Sequence, residues 1–263
     1  MTTNWSRVKG FTLIEIAIVL LVVSILLGYT VAMFPVQQEL KQYRAVDKEM
    51  DNIIDAIYAY AQVNGRLPCA ASLALRNGSP DAEDGKANPD DGTQCNHWYG
   101  YLPAKTLGID GQYDVDRLLL DPWGNPYRYQ VANSDVGNSG ALPGLDGGDF
   151  VITGDMQIVT VGRLAPNLQI CSEIPTTVQT ACETAAQTVA QDIPAVVLSL
   201  GKNGATTPAV SNIQLENTDN GVADTVFVKS TVSDATGKEF DDIVKWIAPN
   251  TLYSKMIGAG QLP

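Results

Sequence analysis

The chain has 263 residues, with 17 Lys and Arg against 29 Asp and Glu and a formal net charge of -12, which excludes nucleic-acid binding through a basic surface. Charged residues make up 17% of the chain, below the roughly 25% of an ordinary soluble domain, so some stretch concentrates apolar side chains. The one histidine, His97, excludes a multi-histidine metal site and leaves a single candidate for any Ser/His/Asp triad; no nucleophile motif accompanies it, and the chain reads as a non-enzyme with His97 packed among aromatic neighbours.

The apolar concentration is N-terminal. Ile16 to Phe34 is nineteen residues without a charge, the length of roughly 18 to 20 that crosses a bilayer as a helix. Arg7 and Lys9 precede it and place a short leader on the cytoplasmic side, with the rest of the chain outside. A cleaved secretory signal has a shorter apolar region followed by a small-residue site, and Pro35-Val36-Gln37 offers none. Glu15 sits within this apolar segment, where insertion scales put an acidic side chain at about 2.5–3.5 kcal/mol at mid-helix. A residue that costly requires a partner.

Lys9-Gly10-Phe11-Thr12-Leu13-Ile14-Glu15 resembles the class III signal of type IV pilins and type II secretion pseudopilins. The resemblance implies cleavage between Gly10 and Phe11 by a prepilin peptidase, methylation of the Phe11 amine, and retention of the apolar helix as a filament core. It implies that Glu15, fifth in the mature chain, neutralises the N-terminal amine of a neighbouring subunit. The physics agrees, since an ammonium and a carboxylate in a low-dielectric bundle each need the other.

Pro35 removes a backbone donor and is expected to kink the helix or interrupt it locally without ending it. Beyond it Val36, Leu40, Tyr43, Val46, Met50, Ile53, Ile57 and Tyr60 recur at steps of four or three between charged residues, the pattern of an amphipathic helix. Asn64-Gly65 and Pro68 supply the stop. Phe11 to about Val63 is thus one helix of roughly 80 Å, membrane-spanning at 11–34 and amphipathic at 35–65, after a leader at 1–10.

From residue 66 to 263 short apolar runs are punctuated by Gly, Pro, Asn and Asp, which reads as one β-rich head with long loops. Strands are expected at Tyr127–Val131, Phe150–Ile152, Gln157–Val161, Ala195–Leu200, Thr225–Val232 and Asp242–Ile247. Helices are expected at Thr176–Gln191 and Thr251–Ile257. The fold class is α+β, a pilin-like long N-terminal helix packed on an antiparallel sheet.

Cys69, Cys95, Cys171 and Cys182 show neither a CxxC motif nor zinc spacing. In an oxidising periplasm, Cys69 to Cys95 and Cys171 to Cys182 is the simplest of three connectivities, worth roughly 3 to 4 kcal/mol per bridge. The acidic stretch Asp81-Ala82-Glu83-Asp84 through Asp90-Asp91-Gly92 lacks EF-hand spacing and reads as a solvated loop closed by the first bridge.

Asp121-Pro122-Trp123-Gly124-Asn125-Pro126-Tyr127 reads as a turn into a strand, and resembles the DPWGNPY motif of major pseudopilins. Ser199-Leu200-Gly201-Lys202-Asn203-Gly204 and Phe240-Asp241-Asp242 resemble the two halves of the pseudopilin calcium loop. That resemblance implies the Leu200 carbonyl, Asn203, Asp241 and Asp242 as ligands, an oxygen-only set suited to Ca2+. Two departures stand against it: Asn203 occupies the family's aspartate position, and residues 205–239 intervene where the family has a short loop. No cofactor is required, and a polar loop without an ion is the competing reading.

The resemblance implies a structural subunit of a type II secretion pseudopilus, favoured by the two head motifs, or of a type IV pilus as a minor or specialised pilin, favoured by the large head and the cysteine pairs. Its partners would be prepilin peptidase, an inner-membrane assembly platform and other pilin-like subunits, with the head periplasmic before filament assembly. A membrane-anchored periplasmic enzyme or binding protein is the reading from a different class.

Overall fold

The computed structural model describes residues 10–73, 84–135, 148–159, 161–173, 181–182, 184–204, 211–218 and 225–263, without the side chains of 28–36 and 212. In chain order the elements are α1 (Leu13–Asn64), β1 (Tyr99–Tyr101), α2 (Ala104–Leu107), β2 (Arg128–Val131), α3 (Asp155–Val159), β3 (Leu168–Cys171), β4 (Thr188–Ile193), β5 (Ala195–Ser199), α4 (Asn212–Thr218), β6 (Val226–Val228), β7 (Ile243–Trp246) and α5 (Pro249–Gly258). Contacts divide the chain between Ala45 and Val46 into two compact units.

In the first unit, α1 begins with a reciprocal cap. Thr12 Oγ1 accepts the Glu15 backbone N–H at 3.3 Å, and Glu15 Oε2 accepts the Thr12 backbone N–H at 3.5 Å. This Thr-x-x-Glu arrangement satisfies two donors that a helix start otherwise leaves open. From Leu13 to Leu27 the helix is exposed on all sides, and Ser24 returns its hydroxyl to the Leu20 carbonyl at 2.7 Å. A helix apolar all round is one that lipid or other helices must cover. The helix continues through Pro35.

In the second unit, the end of α1 buries Val46, Met50, Ile53, Ile57 and Ala61, spaced at four, three, four and four, while Asp47, Asp51 and Asp55 stay exposed. That stripe joins β5 in one apolar core, which is why amphipathic spacing becomes a helix packed on a sheet. Lys245 of β7 reaches Asp47 Oδ1 at 2.7 Å and Asp51 Oδ1 at 2.5 Å. The helix stops at Gly65, whose φ of 68° supplies the left-handed residue of a C-terminal cap. A Cβ there would lie 2.7 Å from Gln261 Oε1.

The main sheet is antiparallel, in the order β1-β2-β5-β7. Its central strand β5 is buried at every position. A smaller sheet, β4-β3-β6, pairs β3 antiparallel with β4 and parallel with β6. Helix α5, with Pro249 at its first turn, closes the core through Leu252 and Met256, and the Tyr58 hydroxyl accepts the Ala248 N–H at 3.0 Å.

Four expectations from the sequence change. Phe150–Ile152 is buried turn, with the Phe150 carbonyl accepting the Leu67 N–H. Asp155–Val159 is a short helix where Gln157–Val161 reads as a strand; Gly154 accepts the N–H groups of Gln157 and Ile158, and a brief apolar run carries no period that distinguishes the two states. Thr188–Ile193 is strand β4 although Thr176–Gln191 reads as a helix, because pairing with β3 across a disulfide outweighs alanine propensity. Residues 176–180 and 183 of that expected helix lie outside the described residues. His97 is exposed, with Trp98 and Tyr99 as the packed neighbours.

The acidic stretch also packs more closely than a solvated loop. Asp84 is buried, and Asp90 accepts from the hydroxyls of Tyr60 and Thr106 and faces buried Arg66 at 3.6 Å. Asp81, Ala82 and Glu83 lie outside the described residues.

Two disulfides join Cys69 to Cys95 and Cys171 to Cys182. Their sequence separations are 26 and 11, so the loop-entropy model gives about 3.5 and about 3 kcal/mol. Serine at both Cys69 and Cys95 is expected to lower the urea midpoint more than serine at both Cys171 and Cys182; equal losses would show that loop length does not govern the effect.

Candidate functional site

Two places gather chemistry, the start of α1 and a polar cluster in the head. At the first, a Cβ placed on Gly10 would meet nothing within 4 Å. Among the described residues nothing packs against this position. Phe11 is 78% exposed, and Glu15 is exposed and engaged with Thr12. Gly10, Phe11 and Glu15 thus lie together at an open helix start.

In the head, the segment Asp121–Tyr127 is a tight turn that ties two distant elements together. Asp121 Oδ1 accepts the backbone N–H groups of Trp123 and Asn125, each at 2.9 Å, and Oδ2 accepts the Ser199 hydroxyl at 2.5 Å. Asn125 Nδ2 donates to the Gly201 carbonyl at 2.6 Å, and the Tyr127 hydroxyl donates to Glu49 of α1 at 2.9 Å. The motif therefore braces the 199–204 turn on one side and α1 on the other. Burial pushes the Asp121 carboxyl up, while hydrogen bonds from Ser199 and the turn backbone work against the shift. Burial likewise raises Glu49, opposed by the bond from Tyr127.

The structure brings the Leu200 turn, Asn203, Asp241 and Asp242 to one place. Gly201, at φ 62°, lies so close to Asp241 that a Cβ would fall 2.4 Å from its carbonyl oxygen. The Asn203 backbone N–H donates to Asp241 Oδ2 at 2.8 Å. The other partners come from α4: Gln214 Nε2 donates to Asp241 Oδ1 at 2.6 Å and to Asn203 Oδ1 at 2.9 Å, and Asn217 Nδ2 donates to Asp242 Oδ2 at 2.8 Å. Among the described residues no group of three or more His, Cys, Asp or Glu side chains is placed to hold a metal ion. Both Asp241 oxygens, Asp242 Oδ2 and Asn203 Oδ1 accept N–H groups, a donor set that satisfies these oxygens from within the chain and fits a cation poorly. Burial pushes Asp242 up to about 7 and raises Asp241, with hydrogen bonds from Asn217 and from the Asn203 backbone opposing the respective shifts.

Gln214, Asn217 and Glu49 are the participants that sequence reasoning misses, and the bond from Ser199 of the 199–204 motif to Asp121 is visible only in the fold. Glutamine and asparagine carry no motif here. The three-residue spacing of Gln214 and Asn217 gains meaning only once α4 is folded.

The architecture is that of an α+β chain with a helix packed on an antiparallel sheet, two disulfides and an exposed apolar helix start. Residues 5–31 match the family model described as the prokaryotic N-terminal methylation motif, and the chain thus carries the type IV pilin and pseudopilin signal. No curated protein and no solved structure matches the chain. The signal points to a structural, pilin-like, membrane-anchored protein that is processed by prepilin peptidase and assembled into filaments. Among the described residues no helix is long and apolar enough to cross a membrane; the described side chains of the uncharged run stop at Leu27.

Proposed function

We propose that this chain is a structural subunit of a type II secretion pseudopilus or a type IV pilus-like filament, with the pseudopilin reading ahead. The observation that carries it is the methylation motif at residues 5–31, set on a helix start whose apolar side chains are exposed from Phe11 to Leu27. The leader is cut between Gly10 and Phe11, the Phe11 amine is methylated, and Ile16–Phe34 holds the subunit in the inner membrane until an assembly platform extracts it. Glu15 then pairs with the Phe11 amine of a neighbour. The pseudopilin reading draws on the Asp121–Tyr127 wording and on its junction with the 199–204 turn. The two disulfides and the long segment between Asn203 and Asp241 favour a minor or specialised pilin as the second reading.

Mass spectrometry of the chain expressed with and without prepilin peptidase tests the shared part. A methylated Phe11 start is expected only with the peptidase; an intact Met1 in its presence overturns the filament reading. Deleting the gene separates the two filaments, since loss of secreted enzymes with surface filaments intact supports the pseudopilin, and the reverse supports the pilin.

A further inference from the structure

The carboxylates of Asp241 and Asp242 sit side by side ahead of β7 and are nearly buried, with 8% and 6% of their surface exposed. Two adjacent buried carboxylates repel each other and need compensation. A divalent cation is one solution, and a set of N–H donors is another. The second is built here from an element that lies inside the long segment between the two loop halves. Helix α4 presents Gln214 and Asn217 three positions apart, so both amides leave from one face.

The orientation of the Asn217 amide is set by backbone polarity. Its Oδ1 accepts the Val228 N–H at 2.8 Å, and its Nδ2 donates to the Val228 carbonyl at 3.0 Å. Rotating the amide by half a turn would put oxygen against oxygen and N–H against N–H, so the NH2 group is held facing Asp242. Gln214 forms a reciprocal pair with Asn203, in which Asn203 Nδ2 donates to Gln214 Oε1 at 3.2 Å while Gln214 Nε2 donates back, and the Asp241 carboxylate, which can only accept, keeps the Gln214 NH2 group facing it. Asn203 Oδ1, the oxygen a cation would need, is thereby engaged. Gln214 and Asn217 are buried, so neither can swing into water without opening the core.

We infer that α4 takes the place of a cation in this head: the side-chain amides of Gln214 and Asn217 hold the two carboxylates that calcium holds in the resembled loop, and the head folds without calcium. Asn217 also ties α4 to β6, because its amide bonds both Asp242 and Val228. The inference rests on contacts within the head and is independent of which filament the subunit joins.

The test uses the full-length chain in detergent, with unfolding followed by tryptophan fluorescence. The Tm is expected to be the same in EGTA and in excess CaCl2, and isothermal titration with CaCl2 is expected to give no saturable heat. Asn217→Ala and Gln214→Ala are each expected to lower the Tm by roughly 2–12 °C, the range for leaving a buried polar partner unpaired in a domain of this size. A saturable calcium heat, or a wild-type Tm that drops in EGTA, overturns the inference. So does a wild-type Tm in both alanine variants. Should either variant fail to accumulate, the calcium titration of the wild-type chain still decides the matter.

Discussion

Replacing Glu15 with alanine is expected to leave processing at Phe11 intact and to remove the subunit from filaments. Two effects of different size are lost together. The first is local: Glu15 completes the cap on Thr12, and loss of a helix cap costs about 0.5–2 kcal/mol. The second belongs to assembly, where an ammonium left without its carboxylate in an apolar bundle costs about 3–5 kcal/mol, a drop of roughly two to three and a half powers of ten in association. Glu15→Gln separates them. Glutamine serves as well as glutamate in this type of cap but carries no charge. Both variants are expected to be cut and methylated like the wild type and to be missing from the sheared or pelleted filament fraction. Normal incorporation of Glu15→Gln would show that capping, and not charge pairing, is what Glu15 contributes.

Asp121→Ala is expected to destabilise the head by about 3–5 kcal/mol, because one substitution strips the acceptor from two turn N–H groups and from the Ser199 hydroxyl. Asp121→Asn keeps one oxygen for the two backbone donors, and Ser199 can turn its hydroxyl to accept from the new amide. Its cost at neutral pH is therefore expected to be a fraction of that of the alanine variant. The pair also has a pH signature. Burial raises the Asp121 carboxyl in the folded state, so the folded chain holds this proton more tightly than the unfolded one. The resulting contribution to stability is complete below the unfolded aspartate value and is lost as pH rises through the folded one. Wild type is thus expected to lose stability relative to Asp121→Asn as pH rises above the ordinary aspartate range, about pH 4, as read by urea unfolding. A constant difference as pH rises would show that Asp121 titrates alike in both states.

Much of the architecture is legible because it rests on long-range repetition. The stripe Val46, Met50, Ile53 and Ile57 fills several turns of helix, and every one of those residues is buried. Strands β2, β5, β6 and β7 fall within apolar runs bounded by turn residues, and β5 is buried at every position, with Ser199 as its one polar residue. The misplaced elements are short. Three residues of β1 and four of β3 carry too little pattern to stand out, and α3 and β4 take their state from neighbours. His97 is a related case: the sequence places it among aromatics, but only the fold decides that Trp98 and Tyr99 turn inward and His97 does not.

The cluster in the head divides along the same line. Asp121, Asn125 and Tyr127 stand out as a motif, yet their partners Ser199, Gly201 and Glu49 lie more than seventy positions away. Likewise Asn203, Asp241 and Asp242 can be singled out by resemblance, whereas Gln214 and Asn217 cannot, since an amide on a short helix has no spacing rule that ties it to a distant carboxylate.

The sequence by itself determined the charge balance, the uncharged run behind Arg7 and Lys9 and the methylation motif, all written in adjacent residues where chemistry depends on order alone. Removal of the proposed leader with its two basic residues would leave the chain more acidic still, and most of the acidic residues lie in the head. Only the tertiary structure decided what that acidity meets inside the fold: Lys245 against Asp47 and Asp51, Ser199 against Asp121, and the α4 amides against Asp241 and Asp242. A buried carboxylate is defined by whichever donor the folded chain brings to it, and that donor need leave no trace near it in the sequence.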